Sequence, residues 1–472
     1  MPDSPQEGSP RTFSKSVIVV GAGVSGLCTA YWLKKLGLSV LVLERDSEVG
    51  GTMKTIHESG WLIETGPNSA LETTPLFQQL SEELNIIQER LYANEASDKR
   101  YILRNGTLHP LPMGAASFIN SNLWSLSAKL RLLKEPFIGR ANNEESIAEF
   151  VERRLGKEFL DYAINPFVAG VFAGNPERLS VQAAFPKLYA LEKKYGGLIK
   201  GMIRSRKERR ERKEVAKDRA KMLSFARGMQ TLPEALANVL DDSVKLNCTV
   251  EQIIPMRAGK HPVYTVYYSQ NEIRIQMEAN AVVLATPAYV TAKIIRPIDP
   301  EMAKILETIY YPPVAEVFLG FKREQVKRPL DGFGYLIPEV EHRNILGTIW
   351  SSALFPDRAP GDDVALTTFV GGARQPELAT VNDGQITSLV LSELDSIMGV
   401  EGNPIYAKII RWEKAIPQYD LGYYKILSAI DRFEQDFRGA FICSNYRGGI
   451  AVGDCVMSAE EIVRKASQYL TS

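Results

Sequence analysis

Two apolar runs near the start of the chain are each the length of one buried strand: Ser16-Val-Ile-Val-Val20 and Leu38-Ser-Val-Leu-Val-Leu43. The stretch between them opens with GAGVSG (Gly21 to Gly26), a turn. Leu27 to Leu36 then has helical character, and Gly37 suits the left-handed position beyond a helix end. This is one strand–helix–strand unit with an acid, Glu44, at the tip of its second strand. Ser16 to Leu33 is an uncharged run of 18 residues, which raises the question of a membrane span. Its glycines would interrupt a spanning helix and its β-branched residues crowd the beginning of the run, so it reads as strand, turn and helix.

Further along, Thr73 to Leu84 and Leu126 to Leu133 are helical in pattern, and 144–191 reads as a helical block. Glu145 to Leu155 is its clearest amphipathic stretch. Residues 200–221 carry 11 basic and 4 acidic side chains, the pattern of a solvated helix or linker, with a membrane-surface or partner contact as the alternative. GMQTLPEALANVL (Gly228 to Leu240) predicts a helix after a glycine turn. Short strands follow at Val244–Val250, Val263–Tyr268, Ile273–Met277 and Ala281–Ala288. From Val314 to Trp412 strands alternate with a helix near Gln385 to Met398. The expected organisation is a disordered tail (1–15), a nucleotide-binding domain assembled from 16–95, 223–300 and 413–472, a helical insert (96–222) and a sheet domain (301–412).

Composition narrows the function class. With 56 basic and 56 acidic side chains the formal net charge is zero, which argues against wholesale nucleic-acid binding. Four scattered cysteines without a CxxC pair give neither a disulfide framework nor a zinc site, and no metal is expected. That cysteine usage makes a reducing, cytoplasmic location the simpler reading, and the tail, which lacks the apolar core of a signal peptide, reads as disordered.

The chemistry starts at the glycines. Gly21 permits the tight turn, Gly23 admits a pyrophosphate to the backbone, and Gly26 lets helix and strand pack closely. Free N–H groups at the helix start (Ala22, Val24, Ser25) then face the phosphates, and Glu44 accepts from ribose hydroxyls. A second glycine pair, Gly50-Gly51-Thr52, follows Glu44 and Arg45, and Gly66-Pro67-Asn68 follows soon after. Backbone freedom continued so far past the acid suits an extended ligand, FAD rather than NAD. Near the C-terminus, NYRGGIAVGDCVM (Asn445 to Met457) has the glycine density of a phosphate loop without its GK[ST] ending. It is expected to cover the flavin: Gly448 and Gly449 let the main chain run close to a flat ring, and Ile450, Ala451 and Val452 lie against it. A helix starting near Asp454 to Ser458, with Ser458–Glu461 as capping box, would aim its N–H groups at the ring edge that becomes anionic on reduction.

GAGVSGL, ERDSEVGG, ETGPNS, KRYILRNGTLHPLP (Lys99 to Pro112), GVFAGNPERLSVQAAFP (Gly170 to Pro186), DGFGYLIP (Asp331 to Pro338), IPQYDLGY (Ile416 to Tyr423) and GGIAVGDC together resemble the oxygen-dependent protoporphyrinogen IX oxidase family. The FAGN and IPQY stretches are the most specific. The resemblance implies an α/β fold: a Rossmann-like FAD-binding domain of the glutathione-reductase/amine-oxidase type, a mixed-sheet substrate domain and an inserted helical domain. It implies one noncovalent FAD per chain, with Val250 and Trp412 joining the cofactor contacts. The implied activity is oxidation of a porphyrinogen by dioxygen in haem biosynthesis, with hydrogen peroxide released. Near relatives oxidise coproporphyrinogen III, and the sequence shares motifs with both.

A porphyrinogen is a flat apolar disc with propionates, so its site needs an apolar slot with a cation at the mouth. Arg100 is the candidate cation, since a guanidinium pairs bidentately with carboxylate. Phe333, Leu336, Ile349 and Phe369 match the family's slot positions, with ordinary core packing as the alternative. Phe172-Ala173-Gly174 are expected to bring backbone carbonyls to pyrrole N–H groups. No residue stands out as a general base; the flavin carries the chemistry. Leu111 to Ile138 is expected to dip into a membrane interface, placing the protein peripherally on the inner face of the plasma membrane, to form a buried cap over the active site, or to do both by guarding a channel that opens toward lipid. A ferrochelatase and a homodimer partner are further candidates. The rival readings are a flavin amine oxidase and a noncatalytic binding protein on the same scaffold.

Overall fold

A computed structural model describes residues 14–204, 220–258 and 261–472; most of the expected tail, and 205–219 of the basic stretch, lie outside the described residues. Two seven-stranded sheets organise the chain. The first runs in the order Val244–Lys245, Val40–Leu43, Ser14–Val20, Ile273–Leu284, His261–Gln270, Cys248–Ala258, with Ala440–Ile442 also paired to Ile273–Leu284. Its glycine-turn half is parallel and its 248–284 meander antiparallel.

The unbroken apolar runs follow from burial on both faces. Val17, Val19, Val40 and Val42 enter one core, shared with the helices Val24–Lys35, Thr231–Leu240 and Val452–Thr471. Ile18, Val20, Leu41 and Leu43 enter a second, shared with the meander and the helices Ala288–Ile295, Pro300–Glu307 and Tyr423–Asp436.

The second sheet runs Tyr406–Trp412, Val314–Phe321, Val364–Gly371, Gly347–Ile349, Gly332–Leu336, Lys99–Arg104, Thr107–Pro110. The helix Asp383–Met398 covers one face with Ile386, Val390 and Leu394. The hairpin Thr55–Glu58/Trp61–Glu64 lies on the other, where Trp61 meets Phe318 edge-on and stacks on Tyr406.

Several boundaries differ from the sequence reading. The first helix starts at Val24, inside the glycine motif. The stretches expected as separate strands at 273–277 and 281–288 form one strand, Ile273–Leu284. Its polar residues Glu278 and Asn280 alternate with buried Met277, Ala279 and Ala281, so they mark the outer face and not a break. The helical block 144–191 is a series of short helices, beginning with Ile147–Arg154 under a Ser146/Glu149 capping box. A buried charge cluster clasps it: Arg154 donates to Glu135 (3.1 Å) and to Glu192, and Glu135 accepts from Leu198 N–H (2.7 Å). Full burial of such a pair is tolerated only with this degree of hydrogen bonding. Among the described residues no helix is long and apolar enough to cross a membrane.

Candidate active site

The three glycines of GAGVSG do different work. Gly21 has φ +102°, and a Cβ there would sit 2.9 Å from Ala285 O. A Cβ on Gly26 would overlap Gly21 O, so this glycine fixes how tightly helix and turn pack. A Cβ on Gly23 would meet nothing within 4 Å. Gly23 therefore borders open space at the start of the helix, whose first turn carries neither an acidic residue nor a side-chain cap. Helix N–H groups and dipole are left facing that space, the chemistry of an anion site.

The later motifs stack onto this turn. Glu44 braces it: Ala22 N–H donates to Oε2 (2.6 Å) and Asp46 N–H to Oε1 (2.9 Å). Arg45 is exposed and pairs with Asp46 at 3.2 Å. Val250 lies two positions beyond Cys248, whose N–H donates to Glu44 O (2.7 Å). Gly50 N–H donates to Ala22 O (2.9 Å), and a Cβ on Gly51 would be 3.3 Å from Gly23 Cα. A Cβ on Gly66 would overlap Thr52 O, so the Gly66-Pro67-Asn68 loop presses on Thr52. Asn68 Nδ2 donates to Gly66 O (3.1 Å) and Trp412 Nε1 to Thr65 O (2.6 Å). Residues spread over nearly four hundred positions thus form one continuous backbone-lined surface.

The C-terminal segment closes onto the same helix in a way that corrects the sequence reading. The helix Val452–Thr471 starts before Asp454, with Ala451 at its N-cap and Asp454, not Glu461, reaching back to the Ala451 N–H (3.4 Å). Ser458 lies in the second turn. Gly448 (φ +90°) and Gly449 (φ +129°) are required by left-handed backbone and by their own helix, since a Cβ would run into Ser458 and, at 2.5 Å, Asp454 Oδ2. Ile450 is half-buried, Ala451 exposed and Val452 buried. Tyr446 is fully buried and Arg447 is paired to Glu434 and Asp431, so both hold the segment in place.

The two most distinctive stretches meet each other. Gln418 Nε2 donates to Phe172 O (2.8 Å), Ser180 N–H to Tyr419 O (2.8 Å), and Arg178 pairs with Asp420 (2.6 Å). Tyr419 Oη donates onward to Asn445 O (2.6 Å). Two of the carbonyls expected to face pyrrole N–H groups, those of Phe172 and Ala173, each accept one hydrogen bond from within the chain. The Phe172 ring packs in the core against Phe185 and Tyr419, and the Ala173 carbonyl accepts from Ala373 N–H (2.7 Å). Gly174 is needed because a Cβ would meet Gln418 Oε1 at 2.5 Å.

The hairpin-side face of the second sheet carries the expected slot residues. Pairing places Leu336, Gly347 and Phe369 in one row and Gly334, Ile349 and Thr367 in the next. Leu336, Ile349 and Phe369 are half-buried, unlike the fully covered opposite face. Arg100 pairs in register with Gly334, its guanidinium 6.0 Å from the Phe333 ring centroid. It makes no ion pair among the described residues.

Two acids on this face escaped the sequence reading. Glu316 sits in the otherwise apolar strand VAEVFLGF, directly opposite Phe369 and Ile410. It is 4 % exposed, and Oε2 has no hydrogen-bond partner among the described residues. Burial, then the nearby Glu64, hold its carboxyl well above the usual carboxylate range. Glu64, 6 % exposed, is pushed up to about 7 by burial, opposed by Thr55 Oγ1 (2.7 Å), Met229 N–H (2.9 Å) and the charge of Arg358. The signal for Glu316 was present: one acid inside an unbroken apolar strand.

Residues 24–466 match the family described as flavin containing amine oxidoreductase. The chain belongs to that family. It is an oxidoreductase and a flavoprotein by that membership. It is 35% identical to protoporphyrinogen oxidase 2, chloroplastic/mitochondrial, of Arabidopsis thaliana, over 97% of this chain and 95% of that protein. It is 27% identical to coproporphyrinogen III oxidase of Bacillus subtilis (strain 168), over 97% and 99%. Among solved structures, a putative protoporphyrinogen oxidase from Exiguobacterium sp. 255-15 superposes with TM-score 0.78 at 22% identity, covering 97% and 99%. A putrescine oxidase superposes at 0.70 and 18% identity, covering 97% and 99%. The mixed α/β architecture is therefore the amine-oxidase-like fold.

The glycine roles separate in a thermal-unfolding experiment on the protein stripped of cofactor. Gly26→Ala should lower stability by roughly 1–3 kcal/mol, because overpacking against backbone outweighs the usual gain from removing a helical glycine. Gly23→Ala should change it by no more than about 0.5 kcal/mol. Equal losses would show that the open space at Gly23 is not there.

Proposed function

We propose that the protein binds one noncovalent FAD and oxidises protoporphyrinogen IX to protoporphyrin IX, with dioxygen as the final acceptor and hydrogen peroxide released. The observation that carries this reading is Arg100, without an ion pair among the described residues, in register with Gly334 on the sheet face that holds the half-buried Leu336, Ile349 and Phe369. A flat apolar molecule with carboxylate arms fits that pattern, and the Arabidopsis relative is named for the same substrate.

The residues present fit FAD. The open space at Gly23 suits the pyrophosphate, and the free lone pairs of Glu44 suit ribose hydroxyls. Gly51–Thr52 and Gly66–Asn68 offer backbone to the flavin, and the start of Val452–Thr471 offers the helix N–H groups that Asp454 leaves free. When bound, the flavin supplies a two-electron hydride acceptor. Noncovalent binding is supported by the cysteines nearest the segment: burial pushes the Cys455 thiol up to about 11 and Cys443 to about 12, leaving no thiolate to bond the ring. Coproporphyrinogen III, with more carboxylates, is the second reading, favoured by the Bacillus subtilis relative's name.

An interfacial location has its own support. Leu126, Leu130, Leu133 and Phe137 recur at helical spacing and are exposed, Leu133 by 70 % and Phe137 by 86 %. The same stretch also packs inward, with Leu123, Trp124 and Ala128 buried against Ile102 and Phe159, so a buried side and an exposed apolar stripe coexist.

Purified protein should be yellow, release FAD on denaturation, and consume oxygen faster with protoporphyrinogen IX than with coproporphyrinogen III. Faster turnover of coproporphyrinogen III would reverse the substrate choice; a colourless protein that takes up no FAD would remove the enzymatic reading. In the same assay Arg100→Ala should raise KM about 10- to 100-fold, the loss of a charged hydrogen bond, with kcat little changed. In flotation with anionic phospholipid vesicles the wild type should co-migrate with lipid. The Leu133→Asp/Phe137→Asp double variant should stay behind while keeping activity in detergent; co-migration of both would exclude this stripe as the lipid contact.

A further inference from the structure

The two acids of the slot-side face form a unit to which the oxidation described above gives no role. Glu316 leaves the sheet on the same side as Phe369 and Ile410, beneath the hairpin whose last residue is Glu64. Glu64 in turn lines a narrow crevice together with Asn68, Ile349, Thr367 and Arg358. Arg358 is buried, donating to Ser224 Oγ (2.9 Å) and Phe225 O (3.0 Å). The charged groups that face Glu64 are Glu316 from the sheet and Arg358 from the loop after Ser351–Leu354; Asp357 faces Arg358.

A buried carboxyl without a hydrogen-bond donor is disfavoured as an anion, and a second carboxylate nearby adds to that. Glu316 has no donor for its Oε2, so it keeps the proton. Glu64 has a hydroxyl, a backbone N–H and the field of Arg358, so it carries the charge. The pair therefore holds one proton and one vacancy for a proton, on the wall of the slot.

We propose that Glu64 is the proton acceptor of the oxidation and that Glu316 is the neutral partner that positions and tunes it. This rests on the porphyrinogen reading above. Over three two-electron steps the macrocycle loses four hydrogens from its bridging carbons and two from pyrrole nitrogens. Each step removes one hydride from a bridging carbon. The accompanying proton leaves nitrogen in two steps and the last bridging carbon in the third, and Glu64 serves the steps that take it from nitrogen. The C–H electron pair leaves with the hydride to the bound flavin, which dioxygen reoxidises. The N–H bond breaks, an O–H bond forms on Glu64, and the nitrogen electron pair enters the new C=N conjugation. The proton then passes to solvent before the next step. An acceptor that titrates near neutral pH is matched to this task.

Infrared titration of the substrate-free holoenzyme tests the pair by itself. A protonated-carboxyl band should persist at pH 7.5 and vanish in Glu316→Gln; a second should titrate near neutral pH and vanish in Glu64→Gln. Both groups ionised at pH 7.5 would overturn the pair whatever the enzyme's substrate. In turnover, wild-type kcat should rise with pH through the neutral range. Glu64→Gln, at unchanged flavin content, should lose at least about 100-fold in kcat with KM little changed and a flat pH profile. Glu64→Asp should recover some of the rate with a displaced profile. A Glu64→Gln enzyme with the wild-type rate and profile would overturn the acceptor role. A wild type inactive toward every porphyrinogen would remove that role together with the proposed function, while the infrared result would still decide the pair.

Discussion

The site depends on close approach of backbone to backbone at the first glycine turn. Gly26 leaves no room for a side chain against Gly21 O, and this lets the helix start directly where the first strand stops. Once the turn is that tight, Ala22 presents an N–H to Glu44 and a carbonyl to Gly50 on opposite sides. The strand tip and the second glycine pair are both tied to it. Gly51 then lies against Gly23, and Gly66 against Thr52. A bulkier residue at any of these contacts would push apart layers that otherwise form one surface. The price of so many glycines is unfolded-chain entropy, and it is offset because each sits beside a fully buried core.

The second sheet depends on asymmetry between its faces. Alternation sends Ala315, Val317 and Leu319 toward the helix Asp383–Met398, where burial is complete. It sends Glu316 and Phe318 under the hairpin, where they are buried, while Leu336, Ile349 and Phe369 farther along the same face are only half covered. A half-covered apolar face is a poor core but a suitable wall for a flat ligand. The buried charge cluster at Arg154 contributes from a distance, because it fixes the short helices that carry Phe172 to Gly174 against Gln418.

The first strand–helix–strand unit was legible because period and punctuation agreed: apolar runs of strand length, a glycine turn, an acid at the tip. The family-level fold was legible through the resemblance carried by stretches such as GVFAGNPERLSVQAAFP and IPQYDLGY. What was misread had a local cause each time. Ile273–Leu284 looked like two strands because its polar residues fall where the strand leaves the antiparallel edge for the parallel core. The last helix was started too late because Ser458 and Glu461 imitate a capping box, while the capping side chain is Asp454, three residues after an alanine. The carbonyls of Phe172-Ala173-Gly174 were expected to face pyrrole N–H groups, yet Phe172 O accepts from Gln418 and Ala173 O from Ala373, both far away in sequence. No pattern within one segment shows which carbonyl another segment will occupy.

The C-terminal glycines show the limit of reading such a segment by its composition. Glycine density suggested contact with something outside the chain. In the folded protein Gly448 and Gly449 lie against Ser458 and Asp454 of the helix they precede, while Tyr419 and Tyr423 hold Asn445 and Tyr446 by their carbonyls. The freedom is used to bring the start of that helix down beside Ser25 and Thr73, at the flank of the first glycine turn. Helix N-termini of Val24–Lys35 and Val452–Thr471 thereby come from opposite ends of the chain to one surface. Their dipoles add at short range, and a ligand with anionic character at two separated points gains from both. The glycines act through that geometry, and any contact they make with a ligand is secondary to it.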